Sequence, residues 1–145
     1  MKKILPLLIL VLAFVAQARA DWTTDYKAAL AQAKDQNKLV LLDFTGSDWC
    51  GYCKLLDKEV FTASSFKDFI SKTFVPVTVD FPHGKKLPDA LTQQNDQLQQ
   101  QFKIEGFPTL IVVNGNGKEL GRMTGYNPGS GPQAVIEELQ GSIKK

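Results

Sequence analysis

The 145-residue sequence is poor in the residues that build scaffolds and metal centres: it has two cysteines and one histidine. Two cysteines cannot form a disulfide-stapled framework. A chain of this length does not need one, because a single domain of this size buries enough apolar surface for a core. His83 with two cysteines falls short of the four ligands of a usual zinc site, so carboxylates or a second chain would have to complete one. No apolar run reaches the ~20 residues of a membrane-spanning helix. Neither sign of charge dominates, with 17 Lys and Arg against 15 Asp and Glu. Nucleic acid and anionic membrane surfaces are therefore not expected partners. What is present is ordinary for one globular domain: 43% hydrophobic residues, nine of the chain's residues being Phe.

The first twenty residues read as an export signal. Lys2 and Lys3 precede an apolar run, Ile4 to Ala16, and Ala18-Arg19-Ala20 places small residues where a signal peptidase reads them. As a helix, that run would cover roughly 20 Å of the ~30 Å hydrocarbon core, which disfavours an uncleaved anchor. Cleavage after Ala20 is expected, leaving residues 21–145 as one domain outside the cytoplasm, in the periplasm. Lys2, Lys3 and Arg19 lie in the signal, so residues 21–145 keep 14 basic against 15 acidic side chains, a net charge of −1.

Periodicity then divides the domain. Residues 24–36 read as a helix, with Thr23 or Thr24 as cap and Tyr26, Ala29, Leu30 and Ala33 on one face. Leu39 to Phe44 is apolar except for Asp43, the pattern of a strand buried on both faces. Ser47 or Asp48 is placed to cap a helix over about 50–60. A short helix over 64–72, a strand over 74–79, a polar loop over 81–88 and a helix over 89–102 follow. Residues 109–113 form a strand, Asn114-Gly115-Asn116-Gly117 a hairpin turn, and 118–124 the returning strand. Pro132 opens a last helix over 132–143. Strands separated by helices are expected to be parallel, with the hairpin adding antiparallel pairing. The fold class is α/β: a mixed central sheet with helices on both faces.

The chemistry concentrates in Trp49-Cys50-Gly51-Tyr52-Cys53-Lys54, directly after an apolar strand and at the start of a helix. Free N–H groups and the macrodipole at a helix N-terminus favour negative charge, which lowers the pKa of a cysteine there. Cys50 is thus the candidate nucleophile, and Cys53, one turn on, the candidate resolving thiol. A purely structural disulfide is the first alternative, but so short a loop removes little unfolded-state entropy. Zinc binding and buried inert thiols are the others; export to an oxidising compartment disfavours the last.

Several separated motifs resemble the thioredoxin family. Leu41-Leu42-Asp43-Phe44 is similar to its central strand, the Trp49–Lys54 segment to its active-site motif, and Gly106-Phe107-Pro108-Thr109-Leu110 to its cis-proline loop. Asn116-Gly117-Lys118-Glu119-Leu120 resembles its hairpin and Gly125 a late glycine. The Asp43-to-Cys50 run resembles that of small exported bacterial members. One residue more separates Asp43 from Cys50 than in ordinary thioredoxins.

The resemblance implies a thioredoxin fold and a thiol–disulfide oxidoreductase cycling Cys50 and Cys53. It implies that Asp43 moves the proton of Cys53, and that Trp49, Tyr52, Phe107 and a cis Pro108 form the substrate surface. Phe107 is larger than the family's usual residue there. The preferred direction is reduction of protein disulfides, which requires an electron-transfer partner in the membrane. Cys-Gly-Tyr-Cys also occurs in periplasmic disulfide isomerases, so oxidase or isomerase activity is the alternative, as is a binding module with idle cysteines. Neither cofactor nor metal is expected, and the expected form is a monomer.

Overall fold

The computed structural model describes residues 21–144, so the export signal expected over residues 1–20 lies outside the described residues. Four strands, β1 (Leu39–Thr45), β2 (Phe74–Asp80), β3 (Thr109–Val113) and β4 (Glu119–Thr124), form one sheet in the order β2-β1-β3-β4. Around them lie α1 (Tyr26–Gln36), α2 (Gly51–Leu56), α3 (Ser64–Thr73), α4 (Asp89–Gln101) and α5 (Gly131–Ile143). α2 continues into a π-helical turn, Asp57–Phe61, in which the Thr62 N–H reaches the Asp57 carbonyl at 3.2 Å.

β1 is central because its sequence allows burial on both faces. Val40, Leu42 and Phe44 face α1 and α4, where Ala29, Ala33, Leu98 and Phe102 complete one core. Leu41 faces the other way, into a second core with Leu56, Val60, Phe66, Ile70, Leu110, Val112 and Leu139. Since strand side chains alternate, Asp43 points to this second face, the one covered by α2, α3 and α5.

β1 and β2 are parallel, with Asp43 opposite Thr78, whereas β3 is antiparallel to β1, with Asp43 opposite Leu110. The expectation that every helix-separated pair would be parallel therefore fails at β3. The connection from β2 to β3 contains α4 between two irregular stretches, and it re-enters the sheet at the end where it left. The apolar anchors of α4 are Leu98, near its C-terminus, and Phe102, just beyond it.

The expected caps also differ. Thr23 pairs with the edge of β2, its N–H donating to the Pro76 carbonyl at 3.0 Å and its carbonyl accepting from Thr78 at 2.8 Å. Asp25 caps α1 instead, accepting the Ala28 N–H at 2.9 Å. Neither Ser47 nor Asp48 caps α2; the N-cap is Cys50.

Leu41 is fully buried between the sheet and the helices of the second core. Leu41→Ala should cost about 2–5 kcal/mol through lost burial and a residual cavity. Urea denaturation with an unchanged slope measures it.

Candidate active site

The site assembles where β1 ends and α2 begins. Cys50 is in an extended conformation at the N-cap, and its Sγ accepts the Cys53 N–H at 3.2 Å. Cys50 and Cys53 are joined by a disulfide, with their Cα atoms 5.3 Å apart. Both are buried, Cys50 being 6% exposed, so a reacting partner must approach through the residues around it. Gly51 is exposed and Tyr52 is 56% exposed beside it.

The Phe107–Pro108 peptide bond is cis. Pro108 is buried, and its carbonyl accepts the Gly125 N–H at 2.8 Å, which ties the loop before β3 to the end of β4. Gly125 has φ +79°, a conformation that glycine adopts without strain. Phe107 packs edge-on against Trp49, with ring centroids 5.7 Å apart. Tyr52, Phe107, Tyr126 and Pro128 border an open groove of about 770 Å³.

Asp43 lies in the floor of the sheet beneath the α2 layer. It is 6% exposed and its Oδ1 has no hydrogen-bond partner. Burial, reinforced by the negative charges of Asp57 and Asp80, pushes its pKa up to about 8. The carboxyl is therefore largely protonated at neutral pH in the disulfide form.

Trp49 is 41% exposed yet held on several sides. Its Nε1–H donates to the Phe81 carbonyl at 2.7 Å, and its indole lies parallel to the His83 ring, centroids 4.6 Å apart. A side chain at Gly46 would collide with the indole. The residues read as helix caps turn elsewhere. Ser47 donates from N at 2.9 Å and from Oγ at 2.6 Å to the Asp80 carboxylate. Asp48 accepts the backbone N–H groups of His83 at 3.0 Å and Gly84 at 2.6 Å, which hold its carboxyl below the usual range. Lys54 Nζ donates to the Asp48 carbonyl at 2.9 Å.

The structure thus gathers Cys50, Cys53, Trp49, Tyr52, Phe107 and Pro108 at one end of the sheet, with Asp43 buried on the face that α2 covers. Sequence reading missed that His83, Asp48 and Phe81 join this group. It also missed Glu59, presented by the π-helical turn. Glu59 accepts the Tyr126 hydroxyl at 2.5 Å and the Gly129 N–H at 2.8 Å, pinning the loop after β4 that borders the groove. Local signals name Asp48 and Glu59 as polar helix-region residues; their partners lie 35 to 70 positions away. Among the described residues, no group of three or more His, Cys, Asp and Glu side chains is arranged to hold a metal ion.

The raised Asp43 pKa has a thermodynamic consequence. Its folded value lies above the unfolded one, so the native state holds the proton that the unfolded chain releases. The disulfide form loses stability as pH rises from about 4 to about 8. The penalty is on the order of 4 kcal/mol at pH 7. Asp43→Asn should remove this slope, so the variant gains on the wild type between pH 5 and pH 8. Urea midpoints at the two pH values test it, and parallel midpoints would refute it.

Comparison with known proteins agrees with this geometry. The family description "Thioredoxin-like domain" matches residues 26–140. A disulfide bond reductase DsbH of Chlamydia pneumoniae is 36% identical over 130 residues, covering 90% of this chain and 76% of that protein. The thioredoxin-related protein DsbJ of the same organism is 31% identical over 122 residues, but this chain spans only 35% of it. A solved DsbH oxidoreductase superposes with a TM-score of 0.80 at 36% identity, over 88% of this chain and 86% of that one. The oxidised C-terminal domain of DsbD from Neisseria meningitidis shares the fold, with a TM-score of 0.60 at 20% identity over 84% and 99% of the two chains. The chain belongs to the thioredoxin-like family, and within it is a thiol–disulfide oxidoreductase of the Dsb type.

Proposed function

We propose that the protein is exported to the periplasm, is processed after Ala20, and reduces protein disulfides there. The observation that carries the chemistry is the placement of Cys50 at the α2 N-cap with the Cys53 N–H aimed at its sulfur. That N–H and the helix start stabilise a Cys50 thiolate in the reduced protein. The 36% identity to a disulfide bond reductase supports the direction.

In the forward cycle, the Cys50 thiolate attacks one sulfur of a substrate disulfide. A bond forms between Cys50 and that sulfur, the substrate S–S bond breaks, and the departing thiolate takes a proton from water. Cys53 then passes its proton to the Asp43 carboxylate and attacks Cys50 Sγ. The Cys50–Cys53 bond forms, the mixed disulfide breaks, and the second substrate sulfur leaves and is protonated. Two electrons have moved to the substrate. Asp43 ends protonated, in keeping with its high proton affinity in the disulfide form. A membrane-bound dithiol partner restores the reduced pair, and Asp43 returns its proton to Cys53. Trp49, Tyr52, Phe107 and Pro108 supply the surface on which the substrate chain rests. The working form is a monomer without cofactor or metal.

An insulin-turbidity assay with dithiothreitol tests the activity; a rate no faster than reductant alone would sink it. Cys53→Ser should accumulate mixed disulfides with cellular partners, and Asp43→Asn should slow resolution roughly tenfold or more. A reduction potential near about −270 mV fits a reductase, whereas one near about −120 mV reverses the assigned direction. Recovery of a periplasmic protein whose N-terminus is Asp21 checks export and processing.

A further inference from the structure

We propose that His83 is a specificity-determining residue that contacts polypeptide next to the substrate disulfide, and that Asp48 is the positioning residue that places it there; this rests on the oxidoreductase reading above. The loop after β2 is polar and exposed, yet its first turn is bound into the segment just before Cys50. Asp48 gives one carboxylate oxygen to the His83 N–H and the other to the Gly84 N–H. Such charge-assisted bonds are about twice as strong as neutral ones. Trp49 Nε1–H closes onto the Phe81 carbonyl, and Ser47 holds Asp80, the last residue of β2. Every one of these contacts joins residues 47–49 to residues 80–84.

The result is a continuous aromatic surface beside the disulfide. The His83 ring lies within 8° of parallel to the Trp49 indole, and Phe107 meets the same indole edge-on. His83 is exposed, so its outward face is open to an arriving chain. Cys50 is only 6% exposed. A protein disulfide can reach its sulfur only by pressing the flanking polypeptide against the surrounding side chains. Through Trp49, that surround extends to His83. A small disulfide does not span it. The strap should therefore distinguish polypeptide substrates from small ones, acting on their binding more than on the exchange step.

The test compares insulin with 2-hydroxyethyl disulfide as substrates for the full-length mature protein. His83→Ala should raise KM for insulin about fivefold, the scale of one aromatic contact, while kcat changes less and turnover of the small disulfide shifts under twofold. His83→Phe, which keeps the stacking surface, should bring the insulin KM back. Asp48→Asn should reproduce the His83→Ala pattern, and its urea midpoint separates lost recognition from lost folding. An unchanged insulin KM in both variants overturns the inference. So does equal slowing of both substrates, which would mean that the strap acts on Cys50 reactivity, and so does failure of His83→Phe to restore binding. A wild-type protein that turns over neither substrate defeats the oxidoreductase reading itself. A wild type active on both, with unaffected variants, defeats only the role of the strap.

Discussion

The free N–H groups at the start of α2 are the resource around which this end of the molecule is organised. A helix start carries partial positive charge, and only a residue at the N-cap or first turn can use it. Cys50 is held there because both sides of the junction are fixed. Behind it, Leu56 and Val60 sink the helix into the core shared with α3 and α5. Ahead of it, the Cys50 N–H closes onto the Gly46 carbonyl at 2.8 Å, and Ser47 and Asp48 tie the turn to residues 80–84. The π-helical turn that follows α2 belongs to the same arrangement. One extra residue in the ladder directs Glu59 to Tyr126 and Gly129, so the loop bordering the groove is anchored to the helix that carries the cysteines.

Asp43 opposes this economy and explains part of it. A carboxyl group buried in the central strand with an unpaired oxygen costs stability, since no hydrogen bond replaces the water it lost. The charge would cost far more, so the group keeps its proton, and the neighbouring acids Asp57 and Asp80 push the same way. The flanking strand residues Leu41, Leu42 and Phe44 are fully buried and supply apolar area against that penalty. In the cycle proposed above, this buried carboxyl takes the proton of Cys53 and later returns it. The site is thus costly in stability at the position where chemistry would use it.

Element types were largely legible in the chain, because hydrophobic periodicity reports directly on which residues face a core. The apolar run at β1, the hairpin turn Asn114–Gly117 and the proline in the first turn of α5 are local signals with local causes. The direction of β3 was not legible. It depends on where the chain re-enters the sheet after α4, and no single segment encodes that. Caps show the same division. Ser47 and Asp48 have the side chains of capping residues, but stronger or better-placed partners on Asp80 and on residues 83–84 outcompete the helix start, leaving the cap to a sulfur. Asn95 lies in a polar stretch of α4, yet it is buried and donates to the Asp80 carbonyl at 2.9 Å.

Residue types and spacing marked the cysteine pair and the acid in the central strand, and the resemblance to the thioredoxin family marked the proline loop, because each is a short-range pattern. They could not show that His83 stacks on Trp49, that Glu59 holds the loop after β4, or that Asp43 lacks a partner. Those facts depend on contacts between residues far apart in sequence, or on the contents of a buried volume. Packing of the two cores against the sheet sets both, and only the folded chain brings them about.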